Sequence, residues 1–414
     1  MMVDLFELVL TFWFRGGNGA RESTPDASAA SPVSASTRPA RPDKGCSSNR
    51  FAHLFSLLSW NLLCRSDNTE RISFHHVKLQ NDTLKVTFSH TKSDVAGDAR
   101  CSDPKHVDAN PARPEECLWL SLALYLCSYS DRDSLRLFPG NEQSSRARDA
   151  LHIALKQPVL ERAMSAMGWG SASDYGCHSW RKGATSFCFG GFAGVGSTLA
   201  VILRGGWSIV GAKERYIHWQ AAADQFIGRL ITGLPSNKID FALLPPLFAN
   251  SLLLESNAVQ ALTFARDLLF PALGGVMEKV PEFTAVTSMC VTQIIYRKKF
   301  LQAALPNNDV LHTNPLRQRR NRGLVDALDK HITGGSRTSL SDAVHSTTGI
   351  PPLTIISSAL ADIQSAKFNS IAEMQEALTS VLDENVFDGQ TVSNYSLGKK
   401  FEELEGALKD EFLA

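Results

Sequence analysis

The chain lacks an excess of charge of either sign. Its 42 lysine and arginine residues balance 42 aspartate and glutamate residues, so the formal net charge is zero. Domains that bind nucleic acid usually carry a basic excess, because phosphate contacts supply much of their affinity. Residues 51–240 hold 21 basic and 18 acidic residues. Any affinity for DNA in this stretch therefore depends on where individual basic side chains stand.

Cysteine motifs and long apolar runs are also lacking. The eight cysteines form no Cys-x-x-Cys pair and no cluster with zinc spacing, so we predict free thiols in a reducing compartment and no metal site. The apolar stretch 5–14 is too short to span a bilayer, carries Glu7, and follows Asp4 where a signal peptide has basic residues. We therefore predict no transmembrane segment.

Length and composition suggest three parts in these 414 residues. Residues 15–50 are rich in Gly, Ser, Ala and Pro, which bury too little surface to offset the entropy lost on ordering. We predict that 1–50 is a disordered lead without a packed domain. Residues 51–240 are expected to fold as one unit, followed by a helical accessory region over 241–414.

The middle part is predicted to be mainly helical with a small antiparallel sheet. Residues 51–64 are apolar nearly all round, which fits a buried helix leading into Arg65. Two runs rich in β-branched and aromatic residues, 72–79 and 83–90, indicate a hairpin, and a third strand is predicted over 106–109. Further helices are predicted over 118–127, 150–167 and 198–203.

The last part has helical periodicity but no catalytic constellation. The predicted helices cover 252–269, 357–367, 370–382 and 399–412. The segment 314–322 is basic, and two interpretations of it stay open. It belongs either to an accessory or oligomerisation region, or to a DNA contact made by Arg317, Arg319, Arg320 and Arg322.

A His-x-x-Arg pair, formed by His178 and Arg181, begins the most informative stretch of the chain. Residues three apart on a helix share one face, so these two side chains can address a single oxyanion. Arginine suits the non-bridging oxygens of a phosphate because its planar guanidinium donates parallel, charge-assisted hydrogen bonds. Histidine can donate to a phosphate oxygen or accept a proton near neutral pH.

A glycine-rich turn follows this pair. Gly205 and Gly206 permit a sharp reversal of the chain before Trp207, and Ser208 is the candidate N-cap for the segment that carries Tyr216. Trp207 offers one fixed N–H donor but cannot accept a proton. The turn and the segment after it therefore deliver Trp207 and Tyr216 together.

This constellation resembles the tyrosine recombinases of the phage-integrase family, over roughly residues 51–240. The run from Arg-Gly-Gly-Trp-Ser to Arg-Tyr-Ile-His-Trp-Gln-Ala-Ala-Ala-Asp-Gln-Phe-Ile-Gly-Arg is most similar to the Crypton-type recombinases of eukaryotic mobile elements. The resemblance implies an integrase-like catalytic domain that cuts and rejoins DNA for recombination or integration. It implies as catalytic residues, in the family's order, Arg65, Lys92, His178, Arg181, Trp207 and Tyr216.

The resemblance also implies what each residue does. Tyr216 would attack the scissile phosphate and form a 3′-phosphotyrosyl bond, while Lys92 would protonate the departing 5′ oxygen. The covalent bond conserves energy for religation, so no cofactor is expected. The implied partners are double-stranded DNA and further copies of the chain, as a dimer or tetramer on DNA, without a membrane. The implied location is the nucleus.

Two departures from the family keep a second function open. Asn68 stands where many relatives have an acidic bracing residue, with Asp67 beside it, and no helical core-binding domain is apparent before residue 51. The protein is therefore either an active recombinase or a catalytically idle, truncated or domesticated relic that binds DNA. A type IB topoisomerase shares the chemistry and is a third, weaker interpretation.

Overall fold

The computed structural model describes residues 1–17, 44–88, 103–131, 133–190, 197–207, 219–235, 241, 243–249 and 255–334. All of them belong to one compact unit, Met1–Ile356. Lys92, Ser208 and Tyr216 lie outside the described residues, as do the helices predicted after residue 356. Within the described part of the chain, no helix is both long and apolar enough to cross a membrane.

Helices make up most of the described chain, with one three-stranded sheet and one short two-stranded sheet. The helices before residue 191 are α1 (Val3–Phe14), α2 (Lys44–Asn61), α3 (Ser66–Glu70), α4 (Leu118–Cys127), α5 (Gln143–Leu155), α6 (Pro158–Met167) and α7 (Cys177–Gly190). The later helices are α8 (Thr198–Gly205), α9 (Ala221–Ile231), α10 (Ser256–Leu269), α11 (Gly274–Lys279), α12 (Phe283–Tyr296), α13 (Lys298–Ala304), α14 (Val310–Thr313) and α15 (Arg322–Asp329). The predicted class, mainly helical with a small antiparallel sheet, is confirmed.

Helix α2 is the centre of the core, because its apolar residues face all directions. Leu54, Phe55 and Leu58 are buried, and so is Trp60 near its end. Helices α1, α4, α5 and α7 pack around it. The buried helix predicted from the run 51–64 is therefore confirmed, and it delivers the chain to Arg65.

The main sheet is antiparallel, with the order β1 (Val77–Gln80), β2 (Thr83–Val86) and β3 (Lys105–Val107). Gln80 pairs with Thr83, so a two-residue turn joins β1 to β2. Asn81 begins this turn with a φ of 55°, a left-handed conformation that asparagine tolerates better than most residues. A second sheet pairs β4 (Leu247–Phe248) with β5 (Ile332–Thr333).

The expectation of an unpacked lead over 1–50 is wrong for α1. Leu5, Phe6, Val9 and Leu10 are buried, and the Phe6 ring stacks on Trp60 with centroids 4.1 Å apart. These residues recur three and four positions apart, so they form one apolar stripe that docks on α2. The prediction rested on the composition of residues 15–50, which says nothing about the apolar stripe that precedes them.

The boundary predicted at residue 240 does not divide the core. Helix α12 packs against α4, and the rings of Phe74 and Phe283 lie 4.7 Å apart. Arg50 forms a buried ion pair with Asp309. Residues 255–334 therefore complete the same core as α2. The sequence could not predict this, because periodicity shows that a helix has an apolar face but not which core that face joins.

The helix predicted over 150–167 is two helices. Helix α5 ends at Leu155, and α6 begins with Pro158 in its first turn. Proline lacks an N–H and fixes φ, so it starts a helix more readily than it continues one. The helix predicted over 118–127 is confirmed as α4.

Helix α1 offers a matched pair of leucines that tests its contribution to the core. Leu5 is fully buried, whereas Leu8 in the same helix is 41% exposed. Leu5→Ala should lower the free energy of unfolding by ~2–5 kcal/mol through lost burial and a cavity, and Leu8→Ala by under about 1 kcal/mol. Urea unfolding measures both. Equal small losses would show that α1 is not part of the folded core.

Candidate active site

Arg65 lies where the chain turns from α2 into α3. Leu63 takes a left-handed φ of 46° although its side chain is fully buried. This conformation costs a bulky residue of the order of 1–3 kcal/mol, so the packing around Leu63 must hold it. The carbonyl of Arg65 accepts the amide hydrogen of Asn68 at 2.9 Å, and the Arg65 side chain is exposed. A strained but buried turn thus presents Arg65 at the surface.

Within the described residues, the side chains of Asp67 and Asn68 make no hydrogen bond or ion pair with the Arg65 guanidinium. The acidic residue that fixes α3 is Glu70, which accepts hydrogen bonds from the amide and hydroxyl of Ser144 at 2.9 and 2.7 Å. Burial opposes ionisation of Glu70, but these bonds lower the pKa of its carboxyl below the usual value. Glu70 therefore ties the turn at Arg65 to the start of α5.

Helix α7 carries His178 and Arg181 one turn apart. Between them, Trp180 is fully buried and its ring lies 6.0 Å from that of Phe55 on α2. This anchor fixes the rotation of α7, so His178 is exposed and Arg181 is half-buried beside the core. The amide of Gly176 donates to the Ser179 hydroxyl at 3.0 Å at the start of the helix.

Arg181 is held by the turn after α8. Its Nη2 donates to the Gly205 carbonyl at 2.6 Å, and its guanidinium carbon lies 4.9 Å from the centroid of the Trp207 ring. Both contacts favour a fixed guanidinium, the second as a cation–π interaction. Burial lowers the pKa of Arg181, and the positive charge of Arg65 acts in the same direction. The charge of Arg65 thus disfavours the charged form of Arg181.

The turn itself needs both glycines. The amides of Gly206 and Trp207 donate to the carbonyls of Leu203 and Ile202 at 3.0 and 3.1 Å, which is the Schellman ending of a helix. Gly206 has a φ of 67°. A Cβ at Gly205 would lie only 2.5 Å from the Trp207 ring. The sharp reversal predicted for this pair is confirmed, and the absence of a side chain at 205 lets the indole fold back toward Arg181.

Lys105, at the start of β3, is a neighbour of this site that sequence reasoning missed. Its Nζ donates to the Leu62 carbonyl at 2.9 Å and lies 5.3 Å from the centroid of the Phe88 ring. Burial lowers the pKa of Lys105 to about 8, and the charges of Arg204 and Arg181 also lower it. A lysine after a polar, proline-bearing stretch is ordinarily predicted to be solvated, so only the pairing of β3 with β2 reveals that Lys105 lies near this site.

The structure thus brings Arg181 and Trp207 together and places His178 one helical turn from Arg181, while the charge of Arg65 acts on Arg181. Within the described residues neither arginine of this group has a carboxylate partner. The described residues also contain no cluster of His, Cys, Asp or Glu that could hold a metal ion. The positions of Lys92 and Tyr216 relative to the arginines stay predictions, since both residues lie outside the described part.

Comparison with known proteins yields little similarity. No family model and no curated protein matches the chain. A solved complex of a Flpe mutant with a DNA Holliday junction is similar, with a TM-score of 0.41 and 11% sequence identity. The match covers 70% of this chain and 64% of the Flpe chain. At this level of similarity the match carries no argument about fold or activity.

The pKa of Lys105 predicts a pH dependence of stability. The folded chain releases this proton near pH 8, whereas an unperturbed lysine keeps it to 10.5. Between these values the unfolded state binds more protons, so Lys105 makes the free energy of unfolding rise with pH. The free energy of unfolding of Lys105→Met minus that of the wild type should therefore fall as the pH rises from about 8 to 10.5.

Urea unfolding at several pH values from about 8 to 10.5 measures this difference. Lys156→Met at the end of α5 provides the control, because it makes the same lysine-to-methionine change at an exposed position. A constant difference between Lys105→Met and wild type would mean that Lys105 titrates like a solvated lysine.

Proposed function

We propose that this protein cleaves and rejoins DNA as a tyrosine recombinase, by way of a 3′-phosphotyrosyl bond on Tyr216. The observation that carries the proposal is the half-buried guanidinium of Arg181, which the Gly205 carbonyl and the Trp207 ring hold in place. The like charge of Arg65 acts on it, and neither arginine has a carboxylate partner in the described chain. Two adjacent cations repel each other unless an anion lies between them. A phosphate group fits this requirement, because each guanidinium can donate to a non-bridging oxygen.

The remaining residues supply the rest of the chemistry. Arg65 and Arg181 would neutralise the charge that develops on the pentacoordinate phosphate, and the indole N–H of Trp207 would add a fixed donor. His178 is exposed one turn from Arg181, where it can donate to a phosphate oxygen or take the phenolic proton. By sequence order, Tyr216 is the nucleophile and Lys92 protonates the departing 5′ oxygen. No step requires a cofactor.

The substrate that we propose is duplex DNA at the ends of a mobile element of the Crypton type, acted on in the nucleus by a dimer or tetramer. The sequence run around Tyr216 supports the element type. Zero net charge supports weak, salt-sensitive binding outside the specific site, since phosphate contacts dominate non-specific affinity. The alternative, an idle DNA-binding relic, predicts binding without covalent chemistry.

Trapping the covalent intermediate tests the proposal. A binding sequence is first selected from a randomised duplex library and then nicked next to each candidate scissile phosphate, so that the cut strand diffuses away. The wild type should accumulate a DNA adduct that resists denaturant. Tyr216→Phe should form none, because the attacking oxygen is missing. Arg181→Ala should slow adduct formation by a factor of ~100–1,000 through lost transition-state stabilisation.

Arg162→Ala, which removes an exposed arginine of α6, is the matched control and should leave the rate unchanged. Binding of the selected duplex without an adduct would favour the relic. An adduct that still forms with Phe at position 216 would show that the nucleophile is another residue.

A further inference from the structure

Arg204, the last arginine before the turn, is buried to 1% exposure in the core. All five of its N–H groups have acceptors. Nε and Nη2 donate to the Asn61 carbonyl at 3.2 and 2.8 Å, and Nη2 also donates to the His106 carbonyl at 2.7 Å. Nη1 donates to the carboxylate and the carbonyl of Asp224 at 2.6 and 3.2 Å. One guanidinium therefore joins α2, β3 and α9 to the end of α8.

Asp224 completes the network. Besides Arg204, it accepts hydrogen bonds from the His106 amide at 2.7 Å and from His106 Nδ1 at 2.9 Å. Burial opposes ionisation of Asp224, but the charge of Arg204 and the bonds from His106 lower the pKa of its carboxyl. The ion pair between Arg204 and Asp224 is thus charged and fully satisfied in the core.

Stability alone does not explain such a pair. Desolvating two charges is costly, and apolar residues of similar volume often stabilise a core equally well or better. A guanidinium, unlike an apolar side chain, carries planar N–H donors at fixed angles, so it fixes the direction of each partner as well as its distance. The residue after Arg204 is Gly205, whose carbonyl accepts the 2.6 Å hydrogen bond from Arg181. Two residues further lies Trp207, whose ring underlies the same guanidinium.

We propose that Arg204 is a positioning residue for Arg181, acting through the Gly205 carbonyl and the Trp207 ring. The inference rests on the proposed function, because it assigns Arg181 to the scissile phosphate. With Arg204 locked to three other elements, the Gly205 carbonyl cannot move relative to α2, and Arg181 is held at one place beside Arg65. A displacement of about 1 Å at a catalytic group can cost ~100-fold in rate.

Two variants separate positioning from folding. Arg204→Lys keeps the positive charge but loses the planar guanidinium and its set of N–H donors. The double variant Arg204→Met with Asp224→Asn removes both charges and keeps a carbonyl oxygen for His106, so that it folds without a buried uncompensated charge. Thermal unfolding establishes that each is folded before its activity is measured.

The kinetic readout compares two substrates. One is the selected duplex with its natural scissile phosphate, and the other carries a methylphosphonate there, so that a methyl group replaces a charged non-bridging oxygen. On the phosphate, both variants should form adduct ~100-fold more slowly than wild type, as is also predicted for Arg181→Ala. On the neutral methylphosphonate, an arginine has less charge to stabilise, and both should come within about threefold of wild type. Equal losses on both substrates would overturn the proposal and leave Arg204 a structural residue.

A second readout needs no catalysis, so it also distinguishes failure of this inference from failure of the proposed function. The guanidinium hydrogens of Arg181 should exchange slowly with solvent in the wild type, because Gly205 and Trp207 hold the group. Exchange measured by NMR should be at least ~10-fold faster in Arg204→Lys and unchanged in the control Arg162→Lys. Unchanged exchange in Arg204→Lys would overturn the proposal even if wild type forms an adduct. Absence of any wild-type adduct would reject the proposed function alone.

Discussion

The buried guanidinium of Arg204 is the constraint on which the geometry of the site depends. It is the only group in the described chain that bonds to α2, β3 and α9 at once, with a carboxylate of Asp224 to balance its charge. Because it stands one residue before Gly205, the hydrogen bonds that order the core also fix the turn that holds Arg181. Arg204 therefore links the core directly to the turn that contacts Arg181.

Backbone strain and like charges near the candidate site lower the stability of the fold. Leu63 adopts a left-handed backbone just before Arg65, and Arg65 and Arg181 repel each other without a described carboxylate between them. Lys105 is half-buried, and desolvation lowers its pKa to about 8. Strain and like charge gathered in one place are typical of sites that bind or transform an anion. The large apolar core around α2, including α1 and α12, offsets these costs.

Much of this architecture could be predicted from the sequence, because it depends on local pattern. The all-round apolar run before Arg65, the hairpin after it and the glycine pair before Trp207 each specify a structure through sterics or periodicity. Arg204 could not be found in this way. It stands at the end of an apolar run, where an arginine ordinarily points to solvent, and its partners lie 20 to 143 residues away. The docking of α1 and the extension of the core past 240 likewise depend on contacts that are distant in sequence.

The central claim is that Arg65 and Arg181 form one anion site, and the effect of inorganic phosphate on thermal stability tests it most directly. An anion that binds only the folded state raises the unfolding temperature with concentration. Phosphate also stabilises proteins generally through exclusion from their surface, so the comparison must be between variants. We predict that the specific part of the increase is lost in both Arg65→Ala and Arg181→Ala and retained in Arg162→Ala. Equal stabilisation of all four proteins by phosphate would contradict the account.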